Sequence, residues 1–270
     1  MCIIIYKGEG KPFPPKETMK TCFDNNPDGA GYMLAVNKKV IIKKGFMTFH
    51  HFYSSLKETR KLYGDDVPYV MHFRITTQGG VNKYLTHPYP LSSEMDELKQ
   101  LNTTAKIGIA HNGIIHLTSN NSKDYNDTMK FITDYLSLII DSPNYYKDEK
   151  KMLLITRLCG SKLAILDNLG HCELIGNGWI EDKGIYYSNS SYKKNNLIKN
   201  FSTNSYSTYD ADDDWEYFDY SDEYIDDNDE CGLDNCLYKK YNDAMYCDTC
   251  DDCHDCELWW NNWMEDDTNA

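Results

Sequence analysis

Cys2 is the residue best placed to do chemistry. Removal of the initiator methionine would leave it N-terminal, with a thiol and a free α-amine on one residue. The thiol is a strong nucleophile, and an α-amine of pKa about 7.7–8.0 can serve as its base near neutral pH. Cys2 can equally begin a buried strand in Met1-Cys2-Ile3-Ile4-Ile5-Tyr6, since free cysteine packs as a small hydrophobe. Three further segments bear on the choice. In His72-Phe73-Arg74-Ile75-Thr76-Thr77-Gln78-Gly79 an arginine stands at a strand end before a hydroxyl- and glycine-rich loop. Arg74 can grip a carboxylate in a bidentate fork, or form a surface ion pair. Ile109-Ala110-His111-Asn112-Gly113 ends a strand with a side-chain amide and a glycine, which can donate twice to a developing oxyanion or simply make a hairpin turn. Asp127, in Asn126-Asp127-Thr128 at a helix start, can accept from a substrate ammonium or satisfy backbone N–H groups.

Those segments, in this order and with the turn Asn26-Pro27-Asp28-Gly29-Ala30-Gly31, resemble the class II glutamine amidotransferase domain, an N-terminal-nucleophile (Ntn) hydrolase. The resemblance covers residues 2–195, and Asp167, Trp179 and Tyr187-Ser188-Asn189-Ser190 continue it more loosely. It implies a four-layer αββα sandwich of two antiparallel sheets. It also implies an activity, hydrolysis of the side-chain amide of L-glutamine. Cys2 would be the nucleophile, Asn112 and Gly113 the oxyanion donors. Arg74 and Thr77 would hold the α-carboxylate, and Asp127 the α-ammonium. The catalytic set needs no cofactor. Ile75 and Gln78 stand where the family commonly has Trp and His, so a different amide is an alternative substrate. A non-catalytic binding protein on the same fold is another alternative. Nothing in residues 196–270 is patterned as a synthetase or transferase domain, so either a separate ammonia-acceptor protein exists or the domain acts as a free-standing amidohydrolase.

The elements that must position these residues are legible in outline. Cys2–Tyr6 is a short apolar run that suits a strand, Lys16–Asn25 suits a helix, and Asn26–Gly31 a turn. Tyr32–Val36 and Val40–Lys44 flank Asn37-Lys38 as a hairpin, and Thr48 caps a helix reaching Tyr63. Tyr69–Arg74 and Lys106–Ala110 are expected strands, with a long loop over Thr76–Pro90. Helices are expected over Asp124–Ile140 and Asp148–Leu158, the second ending at Gly160, and strands over Lys162–Asp167, Cys172–Ile175 and Gly184–Tyr187. Strands and helices in separate blocks with several hairpins predict an α+β fold with antiparallel sheets.

The chain of 270 residues carries a net charge of −14, unevenly placed. Residues 201–270 hold 22 acids and two lysines, so a tail of −20 follows a body of +6. Such a tail disfavours direct nucleic-acid binding. No stretch reaches the ~18–20 apolar residues of a membrane span, and the apolar N-terminal run is too short for a signal peptide. The expected compartment is the cytoplasm, where ten cysteines stay reduced. Residues 196–230 read as an acidic disordered linker, and 231–270 as a cysteine-rich module. There Cys231, Cys236, Cys247 and Cys250 could form a structural zinc site, with Cys253, His254 and Cys256 spare; the alternatives are a more cramped pairing of Cys247/Cys250 with Cys253/Cys256, or an unstructured thiol cluster without metal.

Overall fold

The computed structural model describes residues 2–76, 80–118 and 124–193. They belong to the first of two compact units, Met1–Asn196; the second, Leu197–Ala270, lies outside the described residues, as do the expected linker and cysteine module. In chain order the elements are β1 (Ile3–Lys7), α1 (Lys16–Asp24), β2 (Ala30–Val36), β3 (Lys39–Phe46), α2 (Phe49–Tyr63), β4 (Tyr69–Phe73) and β5 (Tyr89–Pro90). There follow α3 (Met95–Lys99), β6 (Asn102–Ala105), β7 (Ile107–Asn112), α4 (Asp127–Phe131), α5 (Ser137–Ile139) and α6 (Glu149–Cys159). The last are β8 (Lys162–Asp167), β9 (Cys172–Ile175), β10 (Ile180–Asp182) and β11 (Ile185–Tyr187).

The strands form two antiparallel sheets, ordered β10-β11-β1-β4-β2-β3-β6 and β5-β7-β8-β9. The expected α+β class with antiparallel sheets is therefore what the chain adopts. Central strands such as β1, β4 and β7 read as continuous apolar runs because both faces are buried. On β1, Ile3 and Ile5 join an apolar cluster with Met19 and Phe52 of the helices α1 and α2, while Ile4 joins a second cluster. That second cluster draws Met33, Val40 and Val70 from the larger sheet and Ala110, Ala164 and Leu166 from the smaller. A third lies on the far face of the smaller sheet, where Ile109, Leu163 and Ile165 meet Met129, Leu136 and Ile155. Small residues let the sheets approach: a Cβ on Gly108 would lie 2.4 Å from Met33 Sδ.

Local signals explain most boundaries. Asn37 and Lys38 both take positive φ, 52° and 57°, in the two-residue turn joining β2 to β3. Thr48 accepts from His51 N to open α2, and Asp148 accepts from Lys150 N and Lys151 N to open α6, which ends at Gly160 in the left-handed conformation. Several expectations are corrected. The loop expected over Thr76–Pro90 ends in β5, too short to show alternation. Three elements lacked a signal: α3 buries only Leu98, the edge strand β6 is polar, and β10 has no buried residue. The helix expected from Asp124 starts at Asp127, and a π-helical turn, Ile132–Leu136, joins α4 to α5. Among the described residues no helix is long and apolar enough to cross a membrane.

Candidate active site

Cys2 lies just before β1, half-buried. Its Sγ is 3.4 Å from both the N–H and the carbonyl of Ile75, so the thiol accepts from one and donates to the other. Asn189 Nδ2 donates to the Cys2 carbonyl at 2.6 Å. The β1–β4 register pairs Ile3 with Phe73, and one step further sets Cys2 across from Arg74. Burial pushes the Cys2 thiol above its ordinary pKa, while the Ile75 N–H and the Arg74 cation act the other way. Burial also raises Cys22, Cys159 and Cys172, but among these four described cysteines an arginine opposes it at Cys2 alone. Cys2 is therefore a neutral thiol beside a cation, and it needs a base to react.

Arg74 is 3% exposed, which overturns the surface ion-pair alternative. The glycine-rich turn before β2 braces it. Asp28 N donates to the Arg74 carbonyl at 2.9 Å, Arg74 N donates to the Gly29 carbonyl at 2.8 Å, and Asp28 Oδ2 accepts from Thr76 N at 2.7 Å. Gly29 has φ +111°, and a Cβ there would meet Thr86 Cγ2 at 2.6 Å, so this brace requires glycine. The guanidinium donates from Nη1 to Gly80 O at 3.2 Å. Thr77, the other expected carboxylate contact, and Gln78 lie outside the described residues.

Asn112 is the last residue of β7 and pairs with Lys162, the first of β8, so the hairpin-turn alternative for Asn112-Gly113 also fails. Its Nδ2 donates at 2.8 Å to Ser188 Oγ, which also accepts from Ile4 N at 2.8 Å. The amide expected to stabilise an oxyanion is thus tied, through one hydroxyl, to the strand that carries Cys2. Gly113 takes φ +143°, and a Cβ there would sit 2.5 Å from Ser161 Cβ.

Asp127 opens α4 next to the N-cap Asn126, whose Oδ1 accepts from Met129 N. The Asp127 carboxylate accepts from Thr128 N and from Ile115 N, both at 2.8 Å, so it does serve backbone donors. A carboxylate has further lone pairs, and these contacts are compatible with an added ammonium. The Tyr89 phenol, fully buried, accepts from Asn126 Nδ2 at 2.7 Å and feels the charges of Arg74, Asp127 and Cys2. That shared field places the three in one neighbourhood.

Three buried histidines stand behind the site. His72 Nε2 donates to the His111 carbonyl at 3.0 Å, and the His87 ring lies 4.3 Å from that of His72 and 4.7 Å from Tyr89. The His111 ring nitrogens lie 2.8 Å from Thr128 Oγ1 and 2.7 Å from Ser161 Oγ. Burial, the largest cause in each case, holds all three neutral, with His72 lowered to about 3, His111 to about 4 and His87 well below its ordinary range.

Residue-type reasoning took His72 and His111 only as motif positions without a role, did not single out His87 or Tyr89, and took Ser188 and Asn189 only as a loose continuation of a motif. Asp167, in the same looser set, caps a turn by accepting from Leu169 N and His171 N. A groove of about 510 Å³ opens beside Leu91, Glu97, Lys106 and Asp141, and none of Cys2, Arg74, Asn112 or Asp127 lines it. Cys231, Cys236, Cys247 and Cys250 lie outside the described residues, and among the described residues no cluster of His, Cys, Asp and Glu has the arrangement of a metal site.

No protein-family model matches the chain, and no curated protein matches it.

Proposed function

We propose that the chain is an Ntn amidohydrolase of the class II glutamine amidotransferase type, releasing ammonia from L-glutamine for a separate acceptor protein. One observation carries the reading. The Cys2 thiol is hydrogen-bonded to the Ile75 backbone beside the buried Arg74, whose charge acts on it, and the Asn112 amide is tied to the same strand through Ser188. With Met1 removed, the Cys2 amine takes the thiol proton as sulfur attacks the side-chain carbonyl carbon. Asn112 Nδ2 and the Gly113 N–H donate to the oxyanion. The same proton passes to the departing nitrogen, ammonia leaves, and water then hydrolyses the γ-glutamyl thioester to glutamate. Arg74, with Thr77, holds the α-carboxylate and Asp127 the α-ammonium. The matching fold is the four-layer αββα sandwich. It is supported by the three apolar clusters, one between the sheets and one between each sheet and its helices.

The test is intact mass together with glutamine turnover. The expected mass lacks Met1, and Cys2→Ala abolishes glutamate release. A retained Met1, or turnover by Cys2→Ala equal to wild type, removes the mechanism. Asparagine and N-acetylglutamine read chain length and the ammonium contact; hydrolysis of either in preference to glutamine redirects the reading to another amide.

A further inference from the structure

We infer that Ser188 is a positioning residue: its hydroxyl takes the Ile4 N–H, gives its own proton to Asn112 Oδ1, and so turns Asn112 Nδ2 toward the reacting amide. The inference rests on the glutaminase reading for its catalytic consequence, but the order of hydrogen bonds stands apart from it.

The local bonding motivates it. Ser188 follows β11 and is fully buried. Its N–H donates to the Ile4 carbonyl at 2.9 Å, and its own carbonyl accepts from Lys162 Nζ, which also donates to Gly178 O at 2.7 Å. The residue is thus held on its backbone, leaving the hydroxyl as the adjustable group. As arranged, Ser188 Oγ accepts twice, from Ile4 N and Asn112 Nδ2, while Asn112 Oδ1 is buried with no hydrogen-bond partner among the described residues. A buried carbonyl oxygen left in that state is costly. A half-turn of the near-symmetric amide about its Cγ bond exchanges O and N without moving any other atom. The chain of donors then runs in one direction, Ile4 N–H to Ser188 Oγ, Ser188 O–H to Asn112 Oδ1, and Nδ2 takes the buried position that has no partner among the described residues, where the oxyanion is the acceptor that satisfies it. An oxyanion needs a donor and is repelled by Oδ1, so the reaction requires this orientation. Ile4 is two residues from Cys2, so nucleophile and oxyanion donor are registered against each other by one hydroxyl.

The experiment uses the full chain. Ser188→Ala should lower kcat for glutamine on the order of 100-fold, the loss expected when a reacting group is misplaced by about 1 Å. KM and the rate at which iodoacetamide alkylates Cys2 should stay near wild type, since alkylation forms no oxyanion. Ser188→Thr, which keeps the hydroxyl, should recover most of kcat. An unchanged kcat in Ser188→Ala overturns the inference. So does a parallel fall in kcat and alkylation rate, which would mean that Ser188 only seats the first strand. A neutron structure of the deuterated wild type decides the bonding directly. Deuterium on Ser188 Oγ pointing at Asn112 supports the inference, and deuterium on Asn112 Nδ2 pointing at Ser188 overturns it. A wild type that leaves glutamine intact sinks the glutaminase reading, while the neutron map still decides the hydrogen-bond order.

Discussion

At Cys2 two effects on one thiol compete. Burial raises its pKa, and the Ile75 N–H and Arg74 lower it, with burial the larger. The thiol is thus protonated at neutral pH, and only its minor thiolate fraction reacts with a simple electrophile. Alkylation of Cys2 by iodoacetamide should climb about tenfold per pH unit from pH 7 and level off only above the ordinary thiol range near 8.5. A rate that is flat between pH 6 and 8 would show a thiolate already formed. The oxyanion role proposed for Asn112 makes a second prediction. Asn112→Asp replaces the donor by an acceptor of the same shape, so kcat should fall roughly 100- to 1,000-fold. Thermal midpoints of the variant and wild type will show whether the fold survives. Cys2, Arg74, Asn112 and Asp127 were legible as candidates because their residue types sit at strand and helix ends. Ser188 and Asn189 were not, since a serine and an asparagine after a short strand carry no period or spacing that distinguishes a hinge from a bridge.

Among the elements, the crossing of the His87-Pro88 segment over β2 matters most for the site. A Cβ on Gly31 would lie 2.2 Å from the His87 carbonyl oxygen and 2.9 Å from the Lys43 carbonyl oxygen. Those neighbours are backbone and cannot swing aside. Lys44 anchors the same crossing from β3, donating to the carbonyls of Tyr84 and Leu98, with its ammonium 3.9 Å from the centre of the Tyr89 ring. Gly31→Ala should therefore destabilise the fold by about 1–3 kcal/mol, the usual cost of overpacking. It should also loosen Tyr89 and its Asn126 bond. Urea unfolding measures the first effect, and a midpoint equal to wild type would mean that the segment does not pack this closely. The elements that local pattern missed are short or polar: β5, β6 and β10 exist because a neighbouring strand supplies their hydrogen bonds, and α3 is a short helix that buries Leu98.

For the whole molecule, the buried histidines set a pH window. In the unfolded chain each has a pKa near 6.5. Folded, His111 is held to about 4 and His72 to about 3. Below pH 6.5 the unfolded state therefore binds more protons, so stability is full above that pH and is lost as pH falls toward the folded values. Each histidine contributes a slope of about 1.4 kcal/mol per pH unit within its window. Among the described groups with a shifted value, the depressed carboxylates Asp65 and Asp141 act below their ordinary 3.8, and those that act between pH 6.5 and 4 are imidazoles, partly buried His51 among them. Urea midpoints at pH 7, 6 and 5 should fall steadily, and His72→Gln, which keeps a donor for the His111 carbonyl, should reduce the slope. Midpoints independent of pH over that interval would show that the histidines are solvated.

By itself the sequence determined the class of the fold, most helix and strand boundaries, and a set of candidate residues whose chemistry suits the proposed attack on an amide. Periodicity and caps are local, and residue chemistry is intrinsic to the side chain, so both survive without coordinates. The tertiary structure alone decided that Arg74 is buried across from Cys2, that Asn112 ends a strand instead of making a turn, and that Ser188 joins the two. Those facts depend on strand register and on contacts between residues such as Ile4 and Ser188, 184 positions apart, which no local pattern encodes.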